Sequence, residues 1–443
     1  MAHYIEGKIT SLEYPNRTTA ETEEGTIALK GGIPGQKVAL QTRGKGRRKK
    51  GKLMEVLEPS PLEIPSPCPN AAVCGGCSYM TLDYEAESQL KKELMEELFK
   101  PFGVAEVPYT PSPEPYRYRN KMEYTFGDWE KGGPLTLGLH RKAHFYDIVD
   151  TEGCLLVPED MEILRKATQN HFRERGTSYY HRARHEGLLR HLVIRHSTHE
   201  DSYLLNLVTT HTEEKLDHWV DMLTSLDLQG KVAAIYHTET NDLADAIKPE
   251  KVTHLYGSKT IEEELLGLKF HVGPFSFFQP NPHTAKIIYK KAQELLRGDK
   301  GIVYDLYSGT GTIAQLMAQS ARHVYGIEII QEAVESAQNS AKENGIQNAT
   351  FLAGDVLQTL ENLPEKPDTI IVDPPRDGIH PKAIGKIIAT AAPQILYISC
   401  NPKTMARDLN HFQQAGYNIQ HLEAIDQFPH TVHVETVVLM SRK

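Results

Sequence analysis

At 443 residues the chain is about three times the ~150 typical of one domain, so it can bury several cores and is not a small disulfide-stapled scaffold. With 24% charged and 40% hydrophobic residues it is not disordered, and no apolar run approaches the ~18 residues that a membrane helix needs. The net charge of −9 argues against an overall basic coat but leaves room for local basic patches. The start, Met1 to Lys8, shows no apolar stretch followed by a small-residue cleavage site, so no secretory signal and a cytoplasmic location are expected.

From Tyr4 to about Leu57, short strand-like runs at 7–9, 26–29, 37–40 and 52–56 alternate with Gly and Pro, which predicts a small β-barrel of the oligonucleotide-binding (OB) kind. Lys37, Arg43, Lys45, Arg47, Arg48, Lys49, Lys50 and Lys52 follow one another with no acid between them. Such a run is either a solvated hairpin tip or, on a barrel of this kind, a surface for phosphates. Four prolines between 57 and 67 read as a semi-rigid linker.

Cys68, Cys74 and Cys77 form a C-x5-C-x2-C cluster, with Cys154 and Cys400 standing alone. An odd total of five fits reduced thiols with chemistry of their own. Leu90, Leu94 and Leu98 give Tyr84–Phe99 a helical period that stops before Pro101. The stretch to about 270 mixes strand-like runs (122–126, 191–195, 203–208) with helical ones and reads as α+β. Eight Lys or Arg lie between Arg165 and Arg195, interleaved with Phe172, Tyr179, Tyr180 and several His, a pattern that suits single-stranded nucleic acid or a solvated surface. Tyr116–Lys121 offers a second basic and aromatic run of the same ambiguity.

From Thr284 strands and helices alternate, predicting a mostly parallel, doubly wound (Rossmann-like) α/β sheet with ligands at the carboxyl ends of its strands. The expected architecture is multidomain: an OB-like barrel over 1–60, a central α+β domain with the cysteine cluster over 61–270, and the doubly wound domain over 271–443.

The chemistry-bearing motifs fall in that last part. The strand 303–306 runs into a glycine turn, Tyr307-Ser308-Gly309-Thr310-Gly311, and a helix beginning at Thr312. Asp305 before the turn suits a cationic amino group better than a pyrophosphate, and Glu328, ending the next strand, is placed for two ribose hydroxyls; together they favour S-adenosylmethionine over a dinucleotide. Asp373-Pro374-Pro375-Arg376 ends another apolar strand. Similar elements with an aromatic fourth residue grip amino groups in amino-nitrogen methyltransferases; Arg376 in that slot disfavours such chemistry. Cys400, between an apolar strand and Pro402, is either a packed thiol or a covalent nucleophile, and its strand-end position favours the latter. Glu435 opens the last apolar strand, either as a solvated edge carboxylate or as a base with a raised pKa.

Gly-Pro-Phe-Ser-Phe-Phe-Gln at 273–279, Asp-Leu-Tyr-Ser-Gly-Thr-Gly-Thr at 305–312, Asp-Pro-Pro-Arg at 373, Ser-Cys-Asn-Pro at 399 and His-Val-Glu at 433 together resemble the RNA uracil-C5 methyltransferase family. The cysteine cluster with its distant fourth member looks like the ribosomal RNA branch of that family, and the first ~60 residues look like its TRAM domain. Thr312 stands where the family often has Asn. The resemblance implies that Gln279, Tyr307, Glu328 and Asp373 hold S-adenosylmethionine within the glycine loop of Gly309 and Thr312; Asp305 and Asp355 are further candidates. It implies that Cys400 adds to uracil C6, that C5 takes the methyl group, and that Glu435 removes the C5 proton so that Cys400 leaves. The substrate base must be flipped, which favours a single-stranded or loop region of ribosomal RNA.

Four soft thiolates at Cys68, Cys74, Cys77 and Cys154 suit tetrahedral zinc or a 4Fe-4S cluster. Three close together with one remote look more like iron-sulfur, and the resemblance points the same way. A monomer with no membrane partner is expected. The alternatives are methylation of uridine C5 in transfer RNA, amino-nitrogen methylation through Asp373-Pro374-Pro375, and a non-catalytic RNA-binding or iron-sulfur sensor.

Overall fold

The computed structural model describes residues 3–44, 49–144, 146–243, 247–296 and 301–442. The chain forms two compact units, and both are stitched together from separated stretches: Met1–Pro67, Cys77–Ser112 and Asp373–Lys443 in one, Cys68–Gly76 and Pro113–Val372 in the other.

In the first unit, five strands close into a barrel: His3–Glu13, Arg17–Thr22, Gly25–Lys30, Lys50–Glu58 and Lys37–Arg43, the last pairing back onto the first. Alternate residues point inward, and Ile9, Ala20, Leu29, Val38 and Leu40 form the barrel core. Arg17–Thr22 is a strand that the apolar runs did not signal; its inward side chains are only Thr18 and Ala20, too small to register as a hydrophobic period. Lys37 pairs with Glu6 at 3.0 Å, and Lys49 pairs with Glu24, so part of the basic run is neutralised locally. Lys45, Arg47 and Arg48 lie outside the described residues.

The same unit contains Gln394–Ser399, Glu435–Arg442 and Tyr417–Ile425 as antiparallel neighbours in that order, with Tyr109–Thr110 parallel to the last. Tyr417–Ile425 escaped the sequence reading because its register shifts between Ile419 and His421, so the alternation of buried and exposed residues breaks in mid-strand. The helix Tyr84–Phe99 spans the residues its leucine period predicts, and the Asp83 carboxylate caps it by accepting from the Glu85 N–H at 2.9 Å. No helix among the described residues is long and apolar enough to cross a membrane.

The second unit holds a seven-stranded sheet in the order Lys251–Gly257, Lys231–Glu239, Ser202–Thr209, Leu189–Ser197, Lys121–Gly127, Thr136–His140, Ile148–Asp150. Only Ser202–Thr209 and Lys231–Glu239 run parallel. Every residue of Ser202–Thr209 is buried, including Asn206, whose Oδ1 accepts from the Thr238 hydroxyl at 2.8 Å. Phe126, Phe172 and Trp219 pack at this sheet's face, with the helix Glu159–Glu174 supplying Phe172.

Four parallel strands make the other sheet portion of this unit: Ala349–Ala353, His323–Glu328, Ile302–Leu306 and Thr369–Val372, with helices Thr312–Ala318 and Gln331–Glu343 as connections. Their shared direction sends all four carboxyl ends to one edge, where the loops carrying the sequence motifs emerge.

Candidate active site

Two groups of sequence-predicted residues assemble, one in each unit. In the second, Asp305 is fully buried at the end of its strand, and the chain then turns through Tyr307, Gly309 and Gly311 with φ of 65°, 53° and 76°. Gly311 is required on two grounds. Its φ is left-handed, and a Cβ there would meet the Phe351 ring at 2.6 Å and Ala337 Cβ at 2.8 Å. The Gly309 N–H donates to Glu328 Oε2 and the Ile330 N–H to Oε1, both at 3.0 Å. Glu328 thereby fixes the glycine loop, and each of its oxygens keeps a second lone pair for a ribose hydroxyl. Thr312 is the first residue of its helix. Asp355 sits at the neighbouring strand end and caps the helix Val356–Thr359 by accepting from the Leu357 N–H at 2.7 Å. Gln279 is buried in the same unit, and its backbone carbonyl accepts from Asn120 Nδ2 at 3.1 Å.

In the first unit, Cys400 immediately follows the strand Gln394–Ser399, and Asn401-Pro402 begins the helix Pro402–Gln414. The Asp373–Arg376 loop is tied to this turn: Asn401 Nδ2 and Thr404 Oγ1 donate to the Arg376 carbonyl at 2.8 and 3.2 Å. Behind it, buried Asp408 accepts from the Ile379 N–H at 2.9 Å and the Tyr397 hydroxyl at 2.8 Å. Glu435 is 1% exposed, and its Oε1 has no hydrogen-bond partner among the described residues. A buried carboxylate oxygen left unmatched costs stability, and such atoms concentrate at working sites.

The electrostatics of this group are coupled. Burial pushes the Cys400 thiol up to about 12, the Glu435 and Asp373 charges add to the shift, and Arg376 opposes it by charge and hydrogen bond. Burial likewise raises Asp373 to about 7. Glu435 is held well above the usual carboxyl range by burial and then by Asp373, with Arg376 again opposing. The resting thiol is therefore protonated at neutral pH, and its thiolate fraction grows about tenfold per pH unit. Alkylation of Cys400 by iodoacetamide is expected to rise about tenfold per unit between pH 7 and 9, and to be slower at each pH in Arg376→Gln. Labelling that is flat with pH contradicts this environment.

Sequence reasoning assigned Arg376 no positive role and missed Tyr14. Tyr14, buried at the barrel's first turn, is raised by burial and then by Cys400 and Glu435, while a Val434 N–H bond to its hydroxyl opposes the rise. Nothing in local spacing connects a barrel tyrosine with residues near the other end of the chain.

The cysteines divide. Cys68, Cys74 and Cys154 lie in the second unit, where Cys74 and Cys154 are raised chiefly by burial and each senses the charge of Cys68. None of the chain's five cysteines forms a disulfide. The Tyr116–Lys121 run serves this neighbourhood: Arg117 donates to the carbonyls of Cys154 and Val157 at 3.2 and 2.9 Å and meets Glu159 at 3.1 Å. Several cations of the 165–195 run are also structural. Arg165 pairs with Asp150 at 2.8 Å, Arg173 donates to the Leu135 carbonyl, and Arg190 stacks on Tyr180 while donating to the carbonyls of Thr240 and Asp242.

Residues 267–443 match the family described as tRNA (Uracil-5-)-methyltransferase. An RNA methyltransferase of Clostridium tetani is 43% identical over 441 residues, covering 98% of this chain and 97% of that protein. One of Caldanaerobacter subterraneus subsp. tengcongensis is 42% identical, with 98% of each chain covered. The Pyrococcus abyssi tRNA (uracil-54, C5)-methyltransferase, solved with S-adenosyl-L-homocysteine, superposes with a TM-score of 0.78 at 24% identity over 98% of this chain and 100% of that one, and so shares its multidomain fold. The chain belongs to the tRNA (uracil-5-)-methyltransferase family of RNA methyltransferases, as its motifs led one to expect.

Proposed function

We propose that this enzyme transfers a methyl group from S-adenosylmethionine to C5 of a uridine in a single-stranded or loop region of ribosomal RNA, with Cys400 as nucleophile and Glu435 as base. The observation that carries the reading is the gathering of Cys400, Glu435, Asp373 and Arg376 around one strand end, with a buried Glu435 oxygen that has no hydrogen-bond partner among the described residues. S-adenosylmethionine, when bound, supplies an electrophilic methyl group. Gln279, Tyr307, Glu328 and Asp373 are the residues to hold it, with Asp305, Gly309, Thr312 and Asp355 around them. The spare lone pairs of Glu328 fit ribose hydroxyls, and the glycine turn leaves room for close backbone approach.

Uracil C5 is a weak nucleophile. Addition of the Cys400 sulfur to C6 breaks the C5–C6 π bond and places an enolate over C5, C4 and O4; C5 then takes the methyl group. Glu435 removes the C5 proton, the electron pair re-forms the C5–C6 bond, and the sulfur departs. Attack needs a thiolate and the last step needs Glu435 ionised, so raised pKa values on both make turnover accelerate with rising pH. The test is formation of 5-methyluridine in RNA incubated with the enzyme and S-adenosylmethionine: Cys400→Ala is expected to give none, and undiminished product would reject the scheme. Amino-nitrogen methylation would be indifferent to that substitution.

For the cysteines, a 4Fe-4S cluster on Cys68, Cys74, Cys77 and Cys154 fits better than zinc. Zinc sites usually pair two C-x2-C knuckles, whereas three cysteines close in sequence with one remote look more like iron-sulfur. The methyl transfer needs no electron, so the cluster's role is to brace the surrounding loops against RNA. The domain reading follows: 1–60 as a TRAM-like RNA-binding barrel, 61–270 as a central domain, and 271–443 as the doubly wound domain for methyl transfer, in a cytoplasmic monomer. The cysteine cluster favours ribosomal RNA over transfer RNA, and mapping 5-methyluridine in both RNAs from a deletion strain decides between them.

A further inference from the structure

One cleft in the second unit belongs to neither group of residues described above. It opens where the strand Lys121–Gly127 ends at Asp128, between the hairpin of Thr136–His140 with Ile148–Asp150 and the segment Tyr179–Arg182, as a shallow, half-open cleft. Its lining is aromatic with polar edges: Tyr146, Tyr179, His140 and His181 supply rings, and Asp128 and Arg182 supply charge.

The segment Tyr179–Arg182 is held by backbone bonds from the His181 N–H to the Glu186 carbonyl and from the Tyr180 N–H to the Leu189 carbonyl, both at 2.7 Å. Two residues apart on an extended chain, the Tyr179 and His181 rings face the same way, 27° from parallel with centroids 6.4 Å apart. Burial and a hydrogen bond to Asp128 push Tyr179 up to about 12, which keeps it a neutral donor. His181 Nδ1 is buried and has no partner among the described residues. Tyr146, in the lining, is 62% exposed, and Trp129, which follows Asp128 in the chain, is 38% exposed with the Arg141 guanidinium 4.7 Å over its ring.

The cysteine loop builds this rim. The Gly75 N–H donates to the His140 carbonyl at 2.9 Å, the Lys142 N–H to the Val73 carbonyl at 2.8 Å, and Cys74 pairs with Arg141. A Cβ on Gly75 would stand 2.8 Å from the His140 oxygen, so this close approach needs glycine at that position.

We propose that the cleft takes one unpaired base of the RNA, other than the base Cys400 addresses, since none of the residues around Cys400 lines it. The inference rests on the reading of the chain as an RNA methyltransferase. Aromatic faces stack on any base, the His181 ring adds a polar edge, and Arg141 at the rim, which also pairs with Asp147 at 3.3 Å, supplies positive charge for the flanking phosphates. An anionic ligand without a flat face would leave the rings unused, and an apolar one would strand the polar groups.

The test is fluorescence anisotropy of a fluorescein-labelled 12-nucleotide single-stranded RNA titrated with the full chain. Tyr146→Ala and His181→Ala are each expected to weaken binding about fivefold to fiftyfold, as loss of one stacked base does. Tyr256→Ala, on an exposed strand of the same sheet, is the control and should bind as the unsubstituted protein does. Tyr146 is largely exposed, so its removal does not threaten folding, and thermal unfolding checks both variants. Binding within twofold of the unsubstituted protein for both variants overturns the proposal, including when that protein makes 5-methyluridine. Loss of binding in both, in a protein that methylates no RNA, leaves the cleft standing and rejects the methylation reading instead.

Discussion

Glu435→Gln is expected to stop turnover while leaving the first bond-forming steps possible, so that a covalent adduct between protein and methylated RNA accumulates. A positioned general base contributes about 10^2 to 10^4 in rate, so turnover should fall by about 10^3. The adduct would survive denaturing electrophoresis and carry label from methyl-labelled S-adenosylmethionine. The substitution has an opposite effect on stability. Because burial raises the folded-state pKa of Glu435 above its unfolded value, its contribution is complete below about pH 4 and is eroded as the pH climbs toward the raised value. Gln carries no such loss. The variant should melt several degrees higher than the parent at pH 8 and close to it at pH 5. A less stable variant at pH 8 would mean that Glu435 is ionised and well paired in the folded protein.

Lys91→Met is expected to produce the largest loss of stability in the chain. Lys91 is 1% exposed in the helix Tyr84–Phe99 and donates to Glu87 Oε1 at 2.7 Å, Asp426 Oδ1 at 2.9 Å and the Phe428 carbonyl at 3.2 Å. Tyr84 donates to Asp426 at 3.1 Å, and Glu87 accepts from the His430 N–H at 2.7 Å. Burial alone would lower the Lys91 pKa, but the Asp426 and Glu87 carboxylates outweigh it and hold the ammonium charged. Removing it leaves two carboxylates buried without their cation, a loss of about 3–5 kcal/mol. The network anchors residues 426–430, the stretch that leads into Glu435, so activity should fall with stability. Thermal unfolding checks it, and a change below about 1 kcal/mol would mean that water reaches the cluster. Lys91→Met combined with Glu87→Gln and Asp426→Asn should recover part of the loss, because the orphaned charges go with the cation.

The elements that the sequence announced were those whose side-chain period survives folding. Leu90, Leu94 and Leu98 mark one helix, and the apolar runs of Ile302–Leu306, Thr369–Val372 and Gln394–Ser399 mark strands buried on both faces. Arg17–Thr22 and Tyr417–Ile425 were silent because small inward residues or a register shift hide their alternation. The site was legible to the extent that it lies in motifs at strand ends, namely Cys400, Glu435, Asp373 and Glu328. Tyr14 and the Lys91 network were not legible, since both join residues hundreds of positions apart through a unit assembled from three separate stretches of chain. The basic runs misled in part. A cation such as Arg165 or Arg117 looks the same in sequence whether it faces a phosphate or a buried carbonyl.

Mass spectrometry of the protein after incubation with S-adenosylmethionine and RNA containing 5-fluorouridine goes most directly to the central claim. Fluorine at C5 cannot be removed as a proton, so elimination is blocked. A nucleotide of methylated 5-fluorouridine should remain bonded to the peptide holding Cys400, and Cys400→Ala should yield no adduct. An adduct on another residue, or unmodified protein alongside normal methylation of uridine RNA, would contradict the account.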